Sequence, residues 1–370
     1  MRSSVASEQS EAIRTSASRF VRTLSTERQA KILYSFPSHE TPAIAKFTRQ
    51  GGPGGSGGPD GDTGLGPAAS SQHGGQAHPN GPDGGPGGPG GLGGFAFVGE
   101  KYGQSMWTNF PVSDVPRPGL RMGELSAAER DSAHGLLKSV LSPMGYQKVL
   151  DIMAADQTLD AEGTPYACGY NAYTIAMFGA PATSSPWMLQ FGGHHLGLNV
   201  VFVGDKAVCA PLHTGILPSK FVKNGKIIRG LGKGKRQSIR SDGQLHACPT
   251  ESCNDRSRRE RVGVRPRPNA KLAPQGLRGS SMSEQQQAIM FSLVSEWAGV
   301  LNDAHCAQRL EEIRRSMPDT QFAWSGPTTH EPDMNGESYF RLHGPNLLIE
   351  HAPQGNQGGY KLHVHTVMRD

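Results

Sequence analysis

Apolar residues recur at helical spacing in several stretches of this chain and at alternate positions in several others. Thr26-Glu27-Arg28-Gln29 has a capping-box pattern ahead of Ala30, Ile32 and Leu33, which predicts a first helical unit. A second box, Ser126-Ala-Ala-Glu129, precedes Ala133, Leu136, Leu137 and Val140 on one helical face. Ser142-Pro143 then restarts a helix, Ser as cap and Pro at its first position, with Tyr146, Val149, Leu150 and Met153 along one side. Ser283-Glu-Gln-Gln286 opens another helical pair, with a stripe of Met290, Leu293, Val294, Trp297 and Leu301. Stripes of this kind read as scaffold that buries against a neighbour, and no catalytic role is expected of them.

Between and after these helices the period changes to two. NAYTIAMFG, PWMLQF, HLGLNVVFV and KAVCAPL are short, β-branched or aromatic, and bounded by Gly and Pro. Leu196, Leu198, Val200 and Phe202 alternate, and Gly204-Asp205 suits a hairpin turn. The C-terminal block, QFAWSG, SYFRLHG, NLLIEHA and YKLHVHTVM, is again of strand type. Helical pairs alternating with runs of strands predict an α+β fold, paired helices packed on a mainly antiparallel sheet.

Composition changes this picture in two segments. Residues 51–94 hold 20 of the 49 Gly and 7 of the 27 Pro. Such a stretch buries too little surface to offset chain entropy, so 48–101 is expected to be a disordered insertion. From Lys220 to Arg278 there are 16 Lys and Arg against 4 Asp and Glu, a balance of +12. The remainder of the chain therefore sums to −7 within the total of +5. No period holds there, and 220–279 reads as a basic, unstructured insertion. The expected organisation is one domain: a helical part over 1–47, a helical pair and β block over 102–219, and a helical pair and sheet over 280–370.

Charge also limits the partners. The basic character belongs to one segment, so a pI of 8.9 does not make the whole chain a nucleic-acid binder. The Arg-rich 256–267 run lacks interleaved aromatics, and any nucleic-acid contact would fall within 220–278. Five scattered cysteines, Cys168, Cys209, Cys248, Cys253 and Cys306, form no disulfide framework. No secretory h-region and no apolar run of membrane-spanning length is visible, which leads us to expect a cytoplasmic protein without a membrane partner. Oligomeric state is not encoded in any pattern here.

Candidate chemistry lies in the C-terminal strands. Alternation places Phe340, Leu342, Leu347, Ile349, Leu362 and Val364 on one side, and Tyr339, Arg341, His343, Glu350, His363 and His365 on the other. A solvated face is rich in Lys, Glu, Thr and Ser, whereas this one gathers ligand, base and oxyanion-binding types. His363-Val-His365 puts two imidazoles on one strand face, and Glu350 could add a carboxylate, a set used for zinc or non-haem iron. A second cluster, Gly192-Gly193-His194-His195, supplies further ligands. Adjacent residues on a strand point to opposite faces, so one of the two histidines is expected to face the site.

The metal candidates are thus His194, His195, His363, His365 and Glu350. The acid–base and binding candidates are His195, Glu350, Arg341 for an anionic substrate group, and Tyr339 as a hydrogen-bond donor. Other clusters are weaker. His246-Ala-Cys248 with Cys253 has irregular spacing, Ser184-Ser185 sits in no nucleophile elbow, and the Gly-rich tract lacks a phosphate-loop lysine. Two readings follow: an enzyme-like domain, a metal-dependent hydrolase or oxygenase acting on a small molecule, or a non-catalytic binding or interaction module.

Several stretches carry a family resemblance: TLSTERQAKILYSF, MWTNFPVSDVPRPGLRMGELSAAER, LLKSVLSPMGYQKVLDIM, FGAPATSSPWMLQFGGHHLGLNVVFV, QFAWSGP, YFRLHGPNLLIEH and HVHTVMRD. In order and spacing they resemble the uncharacterised family known as domain of unknown function 3500. The resemblance implies that the Gly-rich tract is an insertion within the domain, and that the basic segment stands where the family has ordered, helix-containing sequence. It also implies that the chain stops at Asp370, short of a further acidic, histidine-containing stretch. It carries over no established activity.

Overall fold

The capping chemistry read from the sequence sets the helix starts in the computed structural model, which describes residues 2–36, 46–49, 95–98, 111–112, 117–164, 167–231, 273–326, 338–354 and 363–369. The helices are α1 (Arg2–Thr23), α2 (Thr26–Ile32), α3 (Ala127–Val140), α4 (Pro143–Ala161), α5 (Glu284–Ala298) and α6 (Asp303–Ser316). Reciprocal capping boxes close the starts of α3, through Ser126 and Glu129, and of α5, through Ser283 and Gln286. At α2 the cap is Ser25, whose side chain accepts from Arg28 N, one residue before the expected box. The N-terminal helix α1 lies ahead of that box, with Ile13, Ala17 and Phe20 fully buried against the main core.

Strands are β1 (Leu33–Tyr34), β2 (Lys46–Arg49), β3 (Phe95–Val98), β4 (Leu120–Arg121), β5 (Thr174–Phe178), β6 (Trp187–Gly193), β7 (Leu196–Val203) and β8 (Lys206–Ile216). They continue with β9 (Phe221–Lys223), β10 (Lys226–Ile228), β11 (Leu277–Arg278), β12 (Gln321–Ser325), β13 (Tyr339–Gly344), β14 (Leu347–Gln354) and β15 (His363–Arg369). One eleven-stranded sheet runs β1-β5-β6-β7-β8-β15-β14-β13-β12-β11, with β4 also beside β5. Every pair is antiparallel except β1–β5. The α+β expectation holds, helices on a mainly antiparallel sheet.

That order is a repeat. The succession β4, a 3-10 turn, α3, α4, β5 to β8 recurs as β11, a 3-10 turn, α5, α6, β12 to β15. The two halves meet edge to edge where β8 pairs with β15, Thr214 opposite Thr366 and Gly215 opposite His365. They also meet at the helix starts. Ser142 N donates to Val300 O at 2.9 Å and Asn302 N donates to Val140 O at 3.0 Å, around a Leu141–Leu301 bridge. Both contacts are reciprocal, as a local twofold requires.

One sheet face packs on the helices. Leu198, Leu212, Phe322, Leu342, Ile349 and Met368 join Leu136, Leu137, Met290, Leu293 and Trp297 in one buried cluster. Each large apolar side chain so buried contributes on the order of 1.5–3 kcal/mol. The strand parity fixes the opposite face as the one that carries Tyr339, Arg341, Glu350, His363 and His365.

The basic segment is not wholly without structure. Phe221–Lys223 and Lys226–Ile228 form a hairpin, and Leu277–Arg278 pairs with β12. Phe221 is buried against Ala154, Ala155, Ile216 and Val364, so a short apolar anchor inside a charged run suffices to place a strand. The Gly-rich tract between β2 and β3 and residues 232–272 of the basic segment, with Cys248 and Cys253, lie outside the described residues.

Candidate metal centre

Gly192 and Gly193 end β6, and the chain turns through His194 and His195 into β7. A side chain at Gly193 would meet the Tyr173 ring at 2.9 Å, so the turn packs where only glycine fits. His195 has φ 64°, the left-handed region. This corrects the expectation drawn from strand alternation. The two histidines sit in a turn, and their rings lie 3.6 Å apart, centroid to centroid, so both reach the same polar cluster. Tyr173 OH donates to His194 O at 2.8 Å, and Arg117 Nη2 donates to Gly193 O at 3.0 Å. The turn is therefore pinned from two sides.

Its two imidazoles face different partners. His194 Nδ1 lies 2.5 Å from Asp156 Oδ1, while Asp156 Oδ2 accepts from Gly169 N at 3.0 Å. Asp156 is fully buried on α4, on the same side as Ile152 and Leu159. The sequence reading missed it. Its signal is a lone carboxylate at i+4 from Ile152 and i−3 from Leu159, inside an apolar stripe.

His195 turns its Nε2 to the last strand, 2.7 Å from His363 Nε2, which itself lies 2.9 Å from His365 Nε2. His195 Nδ1 is 3.9 Å from Asp156 Oδ1. Two groups of ligand atoms result: His195, His363 and His365, and next to them Asp156, His194 and His195.

Burial decides the charge of these rings. It pushes the His363 imidazole down to about 3, with nearby His194 adding to the effect. His195 and His365 are held well below the ordinary histidine range, first by burial and then by the neighbouring imidazoles. His213, on β8, is also held down to about 3, by burial and then by the Arg117 charge. All four rings are neutral at pH 7. A neutral imidazole offers one donor and one acceptor. His363 Nε2, if protonated, can donate to one neighbour only, and if unprotonated it presents one lone pair to two. Three lone pairs converging on one point are what a divalent cation binds. Zinc–nitrogen bonds of about 2.0–2.1 Å separate tetrahedral ligand nitrogens by roughly 3.3 Å, a few tenths of an ångström beyond the spacings here.

The sheet register explains why the rings can crowd. Gly215 stands opposite His365, and a Cβ there would come within 2.6 Å of His365 Cδ2 and 2.9 Å of His195 Cδ2. Gly215→Ala is expected to displace one ring, weaken metal binding at least tenfold and destabilise the fold by about 1–3 kcal/mol. Competition against a chromophoric chelator and a denaturant titration measure the two effects. Unchanged affinity in a folded variant would contradict the packing argument.

Of the other sequence candidates, Glu350 is in neither ligand group. Its carboxylate accepts from Tyr339 OH at 3.0 Å and from Arg369 Nη2 at 3.1 Å. Arg341 and Tyr339 lie two strands from the histidines of β15, on the same sheet face. The structure thus brings His194, His195, His363 and His365 together and leaves Glu350, Arg341 and Tyr339 as a second polar group.

Residues 96–370 match the model of the family described as Protein of unknown function (DUF3500). The chain belongs to that family. The match takes in the whole centre, from Asp156 to His365. No curated protein matches the chain, and no solved structure does. Among the described residues, no helix is long and apolar enough to cross a membrane.

Proposed function

We propose that this DUF3500 protein is a metal-dependent hydrolase with one divalent ion held by His195, His363 and His365. The observation that carries the reading is the convergence of three neutral Nε2 atoms at one buried point. Three imidazoles leave the charge of the ion uncompensated and further coordination positions open, the condition under which a bound water ionises near neutral pH. An iron oxygenase set of two histidines and a carboxylate is less well supported, because Glu350 is engaged by Tyr339 and Arg369.

The chain's own residues supply the remaining parts. Asp156 fixes the proton of His194 at Nδ1 and leaves the other nitrogen of that ring to accept or deliver a proton. The same carboxylate faces His195 Nδ1, which orients the His195 Nε2 lone pair toward His363 and His365. The turn geometry, left-handed at His195, stacks the two rings so that proton handling and metal holding sit side by side.

Metal analysis of the purified full-length chain is the test. Near one equivalent of zinc, or of another divalent ion, is expected in the native protein, and less than about a tenth in His363→Ala, since losing one of three ligands removes several kcal/mol of binding. Native protein that remains metal-free after incubation with zinc, iron and manganese sinks the reading.

A further inference from the structure

Arg341 is 2% exposed, yet among the described residues it has no acidic partner. Its Nη2 donates to Ala273 O at 3.3 Å and to Gln275 Oε1 at 2.8 Å, both uncharged, and its Nε is buried with no partner. A guanidinium cannot escape burial by losing its proton, as a lysine can. The residue directly opposite it in the β13–β14 register is Glu350, the natural counter-ion. That carboxylate is taken by Tyr339 OH and by Arg369 Nη2 instead. The group therefore holds two guanidinium charges to one carboxylate, and the unspent charge sits on the buried arginine.

We propose that Arg341 binds the carboxylate of a small-molecule substrate whose reacting end lies at the three histidines. Three observations support it. The excess is a single positive charge, which one carboxylate end of a ligand neutralises, whereas a phosphate dianion concentrates two charges on the same group. The sheet register places Arg341 on the same face as His363 and His365, in the row Arg341–Glu350–Val367 beside the row Tyr339–Ala352–His365. Two strand spacings separate β13 from β15, on the order of 10 Å. Between the two ends, Tyr339, Ala352 and Val367 form a small buried apolar cluster of their own. A ligand that fits this sequence of surfaces has a carboxylate, a short apolar stretch of a few carbons, and a hydrolysable group. The reacting end rests on the metal reading given above; the carboxylate end does not.

The experiment uses the full-length protein, with and without added zinc. Glutarate, its neutral diamide and inorganic phosphate serve as probes, by titration calorimetry and thermal unfolding. Glutarate is expected to bind and to raise the melting temperature, whereas the diamide and phosphate bind at least tenfold more weakly. Arg341→Met should lose that preference and keep the metal content of the wild type. Without anion it should melt no lower than wild type, because a buried charge with no counter-ion has been removed. Arg341→Lys, which retains the charge, should keep part of the glutarate response.

A Met variant that melts well below wild type marks a structural arginine and overturns the proposal. So does one that binds glutarate as wild type does, and tighter binding of phosphate overturns the choice of carboxylate. Glutarate binding to protein that takes up no metal leaves the subsite standing and removes the hydrolase reading. Stoichiometric metal with no anion response does the reverse.

Discussion

Taken from pH 7 to pH 4, the metal-free protein is expected to lose several kcal/mol of stability, a large share of what holds a typical domain together. The cause is four buried neutral imidazoles, His195, His213, His363 and His365, all with proton affinities held below the ordinary value of 6.5. Between pH 6.5 and about 3, where His213 and His363 titrate in the fold, the unfolded chain binds these protons and the native one does not. Stability then rises with pH and falls on acidification, by about 1.4 kcal/mol per pH unit for each of His213 and His363, and His195 and His365 act in the same direction. Above pH 6.5 both states are neutral there, and the contribution vanishes. Denaturant titrations across this range measure the slope. A flat profile between pH 7 and pH 4 would show that the cluster takes up protons without cost. Bound zinc should move the onset to lower pH, since a cation stabilises the unprotonated ligands.

Replacing Asp156 is the second change with a large effect. Asp156→Ala would strand His194 Nδ1 and Gly169 N in a buried site, both of which now meet its carboxylate. Breaking a buried, charge-assisted pair of this kind costs about 3–5 kcal/mol. Because the carboxylate also faces His195 Nδ1, metal affinity should fall by roughly 10–100-fold in any folded variant. Asp156→Asn separates the two effects. The amide keeps the shape and an acceptor but not the charge, so it should recover most of the stability and little of the affinity. Equal affinity in the Asp156→Asn variant and the wild-type protein, measured by chelator competition, would remove the carboxylate from the metal's surroundings.

What could be read from the sequence followed its periodicity. Period-two alternation separates His363 and His365 from Val364, and Arg341 from Phe340 and Leu342, and the strand register makes the same separation. Capping boxes placed the starts of α3 and α5 because both partners of each box are local. The rule failed at His194-His195, where a left-handed residue breaks the alternation. Asp156 and His213 were hidden because each directly follows a buried apolar residue, Ala155 and Leu212, in a stretch that reads as core. Glu350 has the right type and the right face, but its bonding is decided by Arg369 and Tyr339, which the local pattern does not weigh. The repeat of the fold is also present in the sequence. Gly119-Leu120-Arg121 precedes the Ser126 box as Gly276-Leu277-Arg278 precedes the Ser283 box.

The centre straddles the seam between the repeated halves. Asp156, His194 and His195 belong to the first, and His363 and His365 lie on the final strand of the second. The first half supplies His195 alone to the three-histidine set and the second supplies the other two, so an ion held there as proposed would need both halves in place. For a chain emerging from the ribosome, the proposed metal capture would then be a late event. The loop that it closes spans most of the second half, and high sequence separation slows such contacts. Zinc should therefore leave the early folding rate nearly unchanged and act mainly by slowing unfolding, as a clasp fastened after the two parts have docked.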